Sequence, residues 1–211
     1  MSPRKKRIRR SRKSTSKSSN KSSSKKPVRL IVGLAVVAVI IVGAGMYYMR
    51  GSSENGSSPV TVALETTMGD IVIELRRDMP ITTGNFRDLV EQGVYEDTIF
   101  HRVVDGFMIQ GGDPTGTGYG DPSIPAILDE YTDTNENNRG TIAMANKGSP
   151  NTGSSQFFIN LVNNNDLDTL HPVFGEVIEG MDIVDQIAKV QTDADDRPLQ
   201  EVRIITAQII D

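Results

Sequence analysis

The chain has 211 residues, room for one ordinary domain and an additional segment, and a formal net charge of −4. That mean conceals two blocks of opposite sign: residues 1–29 hold 13 Lys and Arg and no acidic residue, while residues 59–211 hold 9 basic and 26 acidic ones, a balance of −17. With no cysteine there is no disulfide framework, thiolate metal site or cysteine nucleophile, and two histidines, His101 and His171, argue against a histidine-rich metal centre.

Residues 1–29 thread nine serines through Lys and Arg with scarcely an apolar side chain. Such a segment cannot bury enough surface to offset its ordering entropy, so a disordered basic tail is expected. Its charge would draw it to anionic headgroups or to nucleic acid. No aromatic is interleaved for base stacking, which argues against a nucleic-acid role and leaves topology as the plainer one. Leu30 to Met49 is 20 residues without a charge, roughly 30 Å as a helix, and Tyr47 and Tyr48 stand at its far end where interfacial aromatics belong. The run exceeds the roughly 7–15 residues of a signal-peptide core, so one uncleaved transmembrane signal anchor over residues 30–49 is expected. Gly43-Ala44-Gly45 would still serve as a cleavage site. The cationic flank orients the anchor with its N-terminus in the cytoplasm, which makes the chain a single-pass protein of the cell membrane with its acidic domain outside. Residues 50–58, rich in Gly and Ser, read as a flexible linker.

Residues 59–211 carry mostly strand signals. Val60, Val62 and Leu64 alternate, Met68-Gly69-Asp70 turns the chain, and Ile71, Ile73 and Leu75 alternate again, which predicts a hairpin. Pro80 suits a helix start, Phe86, Leu89 and Val90 share one helical face, and Gly93 ends it. Short apolar runs follow at residues 98–103, 107–110, 141–145, 156–161 and 173–177, separated by Gly, Asn, Asp and Pro. A second amphipathic helix is expected over residues 181–189 and a closing strand over 202–210. Many short strands with two helices predict a mainly β fold, a closed antiparallel barrel, since closure removes exposed edges.

Specific blocks then narrow the function. Phe100-His-Arg-Val-Val-Asp-Gly-Phe-Met-Ile-Gln-Gly-Gly-Asp113 resembles the signature of cyclophilins, the cyclosporin-binding class of peptidyl-prolyl cis-trans isomerases. The blocks from Arg139 to Asn146, from Asn151 to Ile159 and from His171 to Gly175 follow in that family's order and spacing, and the resemblance covers essentially all of Val60 to Asp211. It implies an eight-stranded antiparallel β-barrel capped by two helices, acting on proline-containing peptide segments of unfolded or exported proteins. It implies no cofactor or metal, and a monomeric catalytic domain is expected.

The resemblance also distributes roles. Arg102 resembles the catalytic arginine, and its type suits the task, because a permanently charged planar donor can meet the lone pair that a twisted prolyl nitrogen regains. Phe107, Met108 and Phe158 resemble the proline-pocket residues, with Leu167 as the remaining aliphatic wall. Phe157 and Phe158 are adjacent in a strand and must face opposite ways, so one of them belongs to the core. Gln110 and Gln156 are similar to the polar residues that orient the arginine and the peptide. Ala145 and Asn146 look like the segment that meets substrate main chain. His171 matches a pocket histidine, assigned to shape and hydrogen bonding because isomerisation transfers no proton; His101 is expected to point away from the site. Residues 111–120 are glycine-rich, but no Gly-Lys-Ser/Thr ending follows, which rejects a phosphate cradle in favour of tight turns. One position departs: the family often carries Trp or Phe just before Leu167, where this chain has Asp166. That departure is the one feature favouring the alternative of a proline-peptide binding or holdase module with vestigial catalysis, and it predicts weak cyclosporin binding.

Overall fold

A computed structural model describes residues 59–210, so the expected tail (1–29), membrane anchor (30–49) and linker (50–58) lie outside the described residues. Among the described residues no helix is long and apolar enough to cross a membrane.

The chain opens with a hairpin of β1 (Thr61–Thr66) and β2 (Gly69–Leu75), paired antiparallel from Thr61↔Glu74 to Thr66↔Gly69. The turn is Thr67-Met68, one step earlier than the sequence suggested. The Thr66 hydroxyl accepts from Met68 N–H at 3.1 Å and donates to Gly69 O at 2.6 Å, which fixes the loop at two residues. Helix α1 (Pro80–Glu91) starts at the expected proline. It ends in a Schellman arrangement, with Gly93 at φ +70, its N–H on Val90 O and Val94 N–H on Leu89 O. The residue before α1, Met79, offers no side-chain cap; Glu130 does, its Oε2 accepting from Ile81 N–H and Thr82 N–H at 3.0 Å each.

Short strands follow: β3 (Arg102–Val104), β4 (Met108–Gly111), β5 (Thr141–Met144) and β6 (Phe157–Asn160). A single 3-10 turn (Asn165–Leu167), β7 (Val173–Glu179), α2 (Met181–Ile187) and β8 (Ile204–Ile210) complete the domain. Gly180 joins β7 to α2 at φ +86, and a Cβ there would lie 2.1 Å from Asp70 O, so no side chain fits.

All eight strands form one antiparallel sheet in the order β3-β4-β6-β5-β7-β2-β1-β8. The sheet curls, but its ladder does not close between β3 and β8, a correction to the closed barrel expected. Residues 98–100, predicted as the start of a strand, are irregular and cross that seam: Phe100 N–H donates to Val202 O at 3.0 Å and Ile204 N–H to Thr98 O at 2.9 Å. The inner face holds the main core, where Phe86 of α1 packs between Tyr95, Phe157 and Phe174 at centroid distances of 5.0–5.6 Å. Tyr95 is fully buried with its hydroxyl on Ser155 O, and burial pushes its phenol far above the ordinary value. Helix α1 packs on β7 and β8, and α2 on β2.

Candidate active site

Because strand side chains alternate, the outer face of this sheet has its own composition. In register, Arg102 of β3 stands opposite Gln110 of β4, Gln110 opposite Phe158 of β6, Phe158 opposite Ala143 of β5, and Ala143 opposite Val173 of β7. One row thus crosses five strands from a guanidinium to an aliphatic floor. The neighbours of these residues, Val103, Ile109, Phe157 and Ile142, point into the main core. Of the adjacent phenylalanines, Phe157 is the core member and Phe158 faces outward.

The apolar end of the row is a second cluster, separate from the main core: Met108, Ala143, Ala145, Phe158 and Val173 are buried, and Val104, Phe107 and Leu167 pack on it half-exposed. The His171 ring stands edge-on to Phe158 at 5.2 Å and 83°. Its Nδ1 lies 2.9 Å from Met144 O; a carbonyl only accepts, so Nδ1 carries a proton and donates. Phe107 and Leu167 lie over this cluster without being buried themselves, and the His171 ring flanks Phe158.

Arg102 stands at the other end of the row, one strand beyond Gln110, with its side chain 42 % exposed. Among the described residues its one side-chain partner is Asp196, whose Oδ2 accepts from Nε at 3.3 Å. Asp196 is itself held, at φ +64, by Val103 N–H on its carbonyl at 2.8 Å. Using Nε for this contact leaves the terminal guanidinium nitrogens to a ligand. Gln110 and Gln156, expected to orient the arginine and the peptide, bond to each other: Gln110 Nε2 donates to Gln156 Oε1 at 2.8 Å, and Gln156 Nε2 to Gly118 O at 3.0 Å. Asp196 is therefore the arginine's anchor that sequence reasoning missed. It sits in a run of aspartates (Asp193, Asp195, Asp196), and no local spacing relates it to a residue 94 positions away.

Beyond the glutamines lies an open cavity of about 420 Å³ between the glycine-rich loop (Gly118, Tyr119, Gly120) and Ala145, Asn146 and Lys147. Ala145 N–H is spent on Gln156 O. The Asn146 side chain is fixed to Leu170 O and Gly148 N–H, and its main-chain N–H and C=O have no partner among the described residues. The loop is organised by Asp113, which is fully buried. Its carboxylate accepts from Thr115 N–H and hydroxyl and from the N–H groups of Gly118 and Gly120. Burial alone would raise this carboxyl, but those bonds outweigh it and hold it below its usual range. His101 lies beneath the same loop, 6 % exposed, with Nδ1 unpartnered; burial lowers its pKa, opposed by the charge of Asp113. It lies outside the outer apolar cluster. No group of three or more His, Asp or Glu among the described residues is placed to hold a metal ion.

Known proteins resemble this chain in sequence and fold. Residues 61–209 match the family model described as cyclophilin type peptidyl-prolyl cis-trans isomerase/CLD. The chain is 43% identical over 164 residues to peptidyl-prolyl cis-trans isomerase CYP18-2 of Arabidopsis thaliana, covering 76% of this chain and 99% of that protein. It is 46% identical over 153 residues to the human peptidyl-prolyl cis-trans isomerase-like 1, covering 71% and 92%. A crystal structure of a Cryptosporidium parvum cyclophilin type isomerase superposes with a TM-score of 0.69 at 34% identity, covering 73% of this chain and 99% of that one. The same protein has been crystallised in the presence of the dipeptide Ala-Pro. The chain belongs to the cyclophilin-type peptidyl-prolyl cis-trans isomerases and is an enzyme of that family.

Proposed function

We propose that the outer-face row is the catalytic site, in which the slot of Phe107, Met108, Phe158, Leu167 and His171 grips a proline ring while Arg102 eases rotation about the bond preceding it. Amide resonance sets a barrier of about 18–20 kcal/mol to that rotation. At the twisted midpoint the prolyl nitrogen is pyramidal and carries a lone pair, which a planar cation meets better than it meets either planar isomer; this is differential stabilisation, with no covalent step. Gln110 and Gln156, bonded to each other, present a fixed polar edge to the peptide, and the free main-chain groups of Asn146 offer it one strand-like pairing. The observation that carries this assignment is the register row itself, which sets Arg102 two strands from Phe158 on a face the main core does not use.

The substrates we infer are proline-containing segments of unfolded or exported proteins, met outside the cell membrane by a monomeric domain that residues 30–49 anchor. What supports this placement is the charge-free run of 20 residues with its cationic flank. Two experiments test the proposal. Exchange NMR on an Xaa-Pro peptide compares the protein with Arg102→Ala, expected to lose about a hundredfold in kcat/KM; equal activity refutes the role given to Arg102. Protease added to intact cells is expected to remove the acidic domain and spare the tail, and full protection of the domain refutes the topology.

A further inference from the structure

The two sides of the slot come from segments far apart in sequence: Phe107 from the β3–β4 turn, and Leu167 and His171 from the loop between β6 and β7. Beneath them runs a chain of asparagine side chains. Asn164 Nδ2 donates to Phe107 O at 2.9 Å and to Asn160 Oδ1 at 2.8 Å. Asn160 Nδ2 donates to Asn137 Oδ1 at 3.2 Å and to Thr141 Oγ1 at 2.9 Å. Asn137 Nδ2 donates to His171 O and to Asp168 Oδ1, each at 3.2 Å. All the N–H bonds of these three carboxamides are used, and donation runs outward from Asn164, to Phe107 O on one side and through Asn160 and Asn137 to His171 O on the other, so the chain ends on the main chain of each flanking segment. Asn137 and Asn160 are 0% exposed.

At Asn160 and Asn137 the carboxamide accepts one bond and donates two from one planar group, which neither a carboxylate, an acceptor only, nor a hydroxyl with its single proton can do; at Asn164 it supplies the two donations. A satisfied buried network is rigid, and breaking one link orphans the next. Asp168 and Asn135 brace the same wall, through Asn137 N–H on Asp168 Oδ1 at 2.6 Å and Asn135 Nδ2 on His171 O at 3.1 Å. We propose that Asn137, Asn160 and Asn164 are positioning residues that hold the two walls of the slot at the separation a proline ring requires, and so set substrate affinity. This rests on the slot assignment above.

The test measures KM and kcat separately, by NMR line shapes on an Xaa-Pro peptide, for the full-length protein, Asn164→Ala, Asn164→Ser and, as a control on the slot itself, Leu167→Ala. Each Asn164 variant is expected to raise KM about fivefold, the equivalent of about 1 kcal/mol at about 1.4 kcal/mol per tenfold, with kcat changed less than about twofold. An unchanged KM in the Asn164 variants beside a raised KM in Leu167→Ala overturns the inference and leaves the slot standing; an unchanged KM in Leu167→Ala as well overturns the slot. A fall in kcat at constant KM, the mark of a lost folded fraction, also overturns it. A second measurement needs no variant: saturating peptide is expected to shift the side-chain NH2 signals of Asn137 and Asn160 in the parent protein, and their invariance overturns the proposal.

Discussion

Replacing Asp196 by Asn separates the charge of the arginine's anchor from its shape. The left-handed backbone at φ +64 is one that Asn adopts readily, and the 2.8 Å bond from Val103 N–H to the carbonyl of residue 196 is untouched, so the loop keeps its course. What changes is the carboxylate 3.3 Å from Arg102 Nε, in a pair whose two side chains are each 42 % exposed. An ion pair so open to water contributes about 0–1 kcal/mol. At about 1.4 kcal/mol per tenfold in rate, the most its loss can do through looser placement of the guanidinium is about fivefold. The expected result is a two- to fivefold fall in kcat/KM at about 20 mM salt. Parent and variant should converge near 1 M salt, where screening acts over about 3 Å. Exchange NMR or a protease-coupled assay at the two salt levels reads this directly. A gain in activity would mean that the carboxylate damps the cation instead of placing it, and a hundredfold loss would mean that Asp196 acts on substrate; either outcome refutes the anchoring role.

Four further outcomes are expected. His101 titrates below its usual value in the fold because it is buried, so between the folded and unfolded values the unfolded chain binds the extra proton and stability falls as pH drops from about 6.5; in His101→Gln the unfolding midpoint should be flatter across that window, and an unaltered slope refutes the assignment. The same sign at lower pH comes from Asp113, whose depressed carboxyl adds stability above about pH 4 that is lost on further acidification. Glu130→Ala removes the side-chain cap seen on α1 among the described residues and should cost about 1 kcal/mol, a drop of about 2–4 °C in Tm, with kcat/KM unchanged; an unshifted Tm would show that water caps the helix equally well. Asp166 is exposed on the 3-10 turn beside Leu167, where the resemblance leads one to expect an aromatic, so cyclosporin titration should give micromolar affinity or weaker, and nanomolar binding contradicts this.

How far these features were legible in the sequence follows the range over which each interaction acts. The β1–β2 hairpin, the start of α1 at Pro80 and its end at Gly93 are written in residues a few positions apart, and the structure places them within a residue or two of the expectation. The opposition of Phe157 and Phe158 follows from the two-residue repeat of any strand. By contrast, the cap on α1 comes from Glu130, 49 positions from Ile81, and the partner of Arg102 comes from 94 positions away; neither pair has a spacing to recognise. The Asn163-Asn164-Asn165 run illustrates the harder failure. As sequence it is an ordinary polar loop, and only the fold separates Asn164, which points under Phe107, from its neighbours at the surface. The expected barrel closure failed for a related reason: the pattern of alternation in residues 98–100 is compatible with a strand, but the seam it crosses is bridged by isolated bonds and no ladder forms.

The site also explains why a sheet of such short strands can carry this chemistry. A four-residue strand offers two side chains to each face, and here the inner pair builds the core while the outer pair builds the slot. Outer residues such as Met108 and Phe158, 2% and 3% exposed, are therefore buried without being core: their burial is supplied by Phe107, Leu167 and His171, which are not themselves covered. In the proposed division, an apolar cluster with so thin a cover gains when a ring of matching size lies on it, which is binding energy, whereas the arginine at the other end of the row acts only once the peptide twists. The two functions share one row but not one residue. Truncating Leu167 should accordingly appear in KM and truncating Arg102 in kcat, and a protein in which both changes fell on the same constant would have to work by a different division of labour.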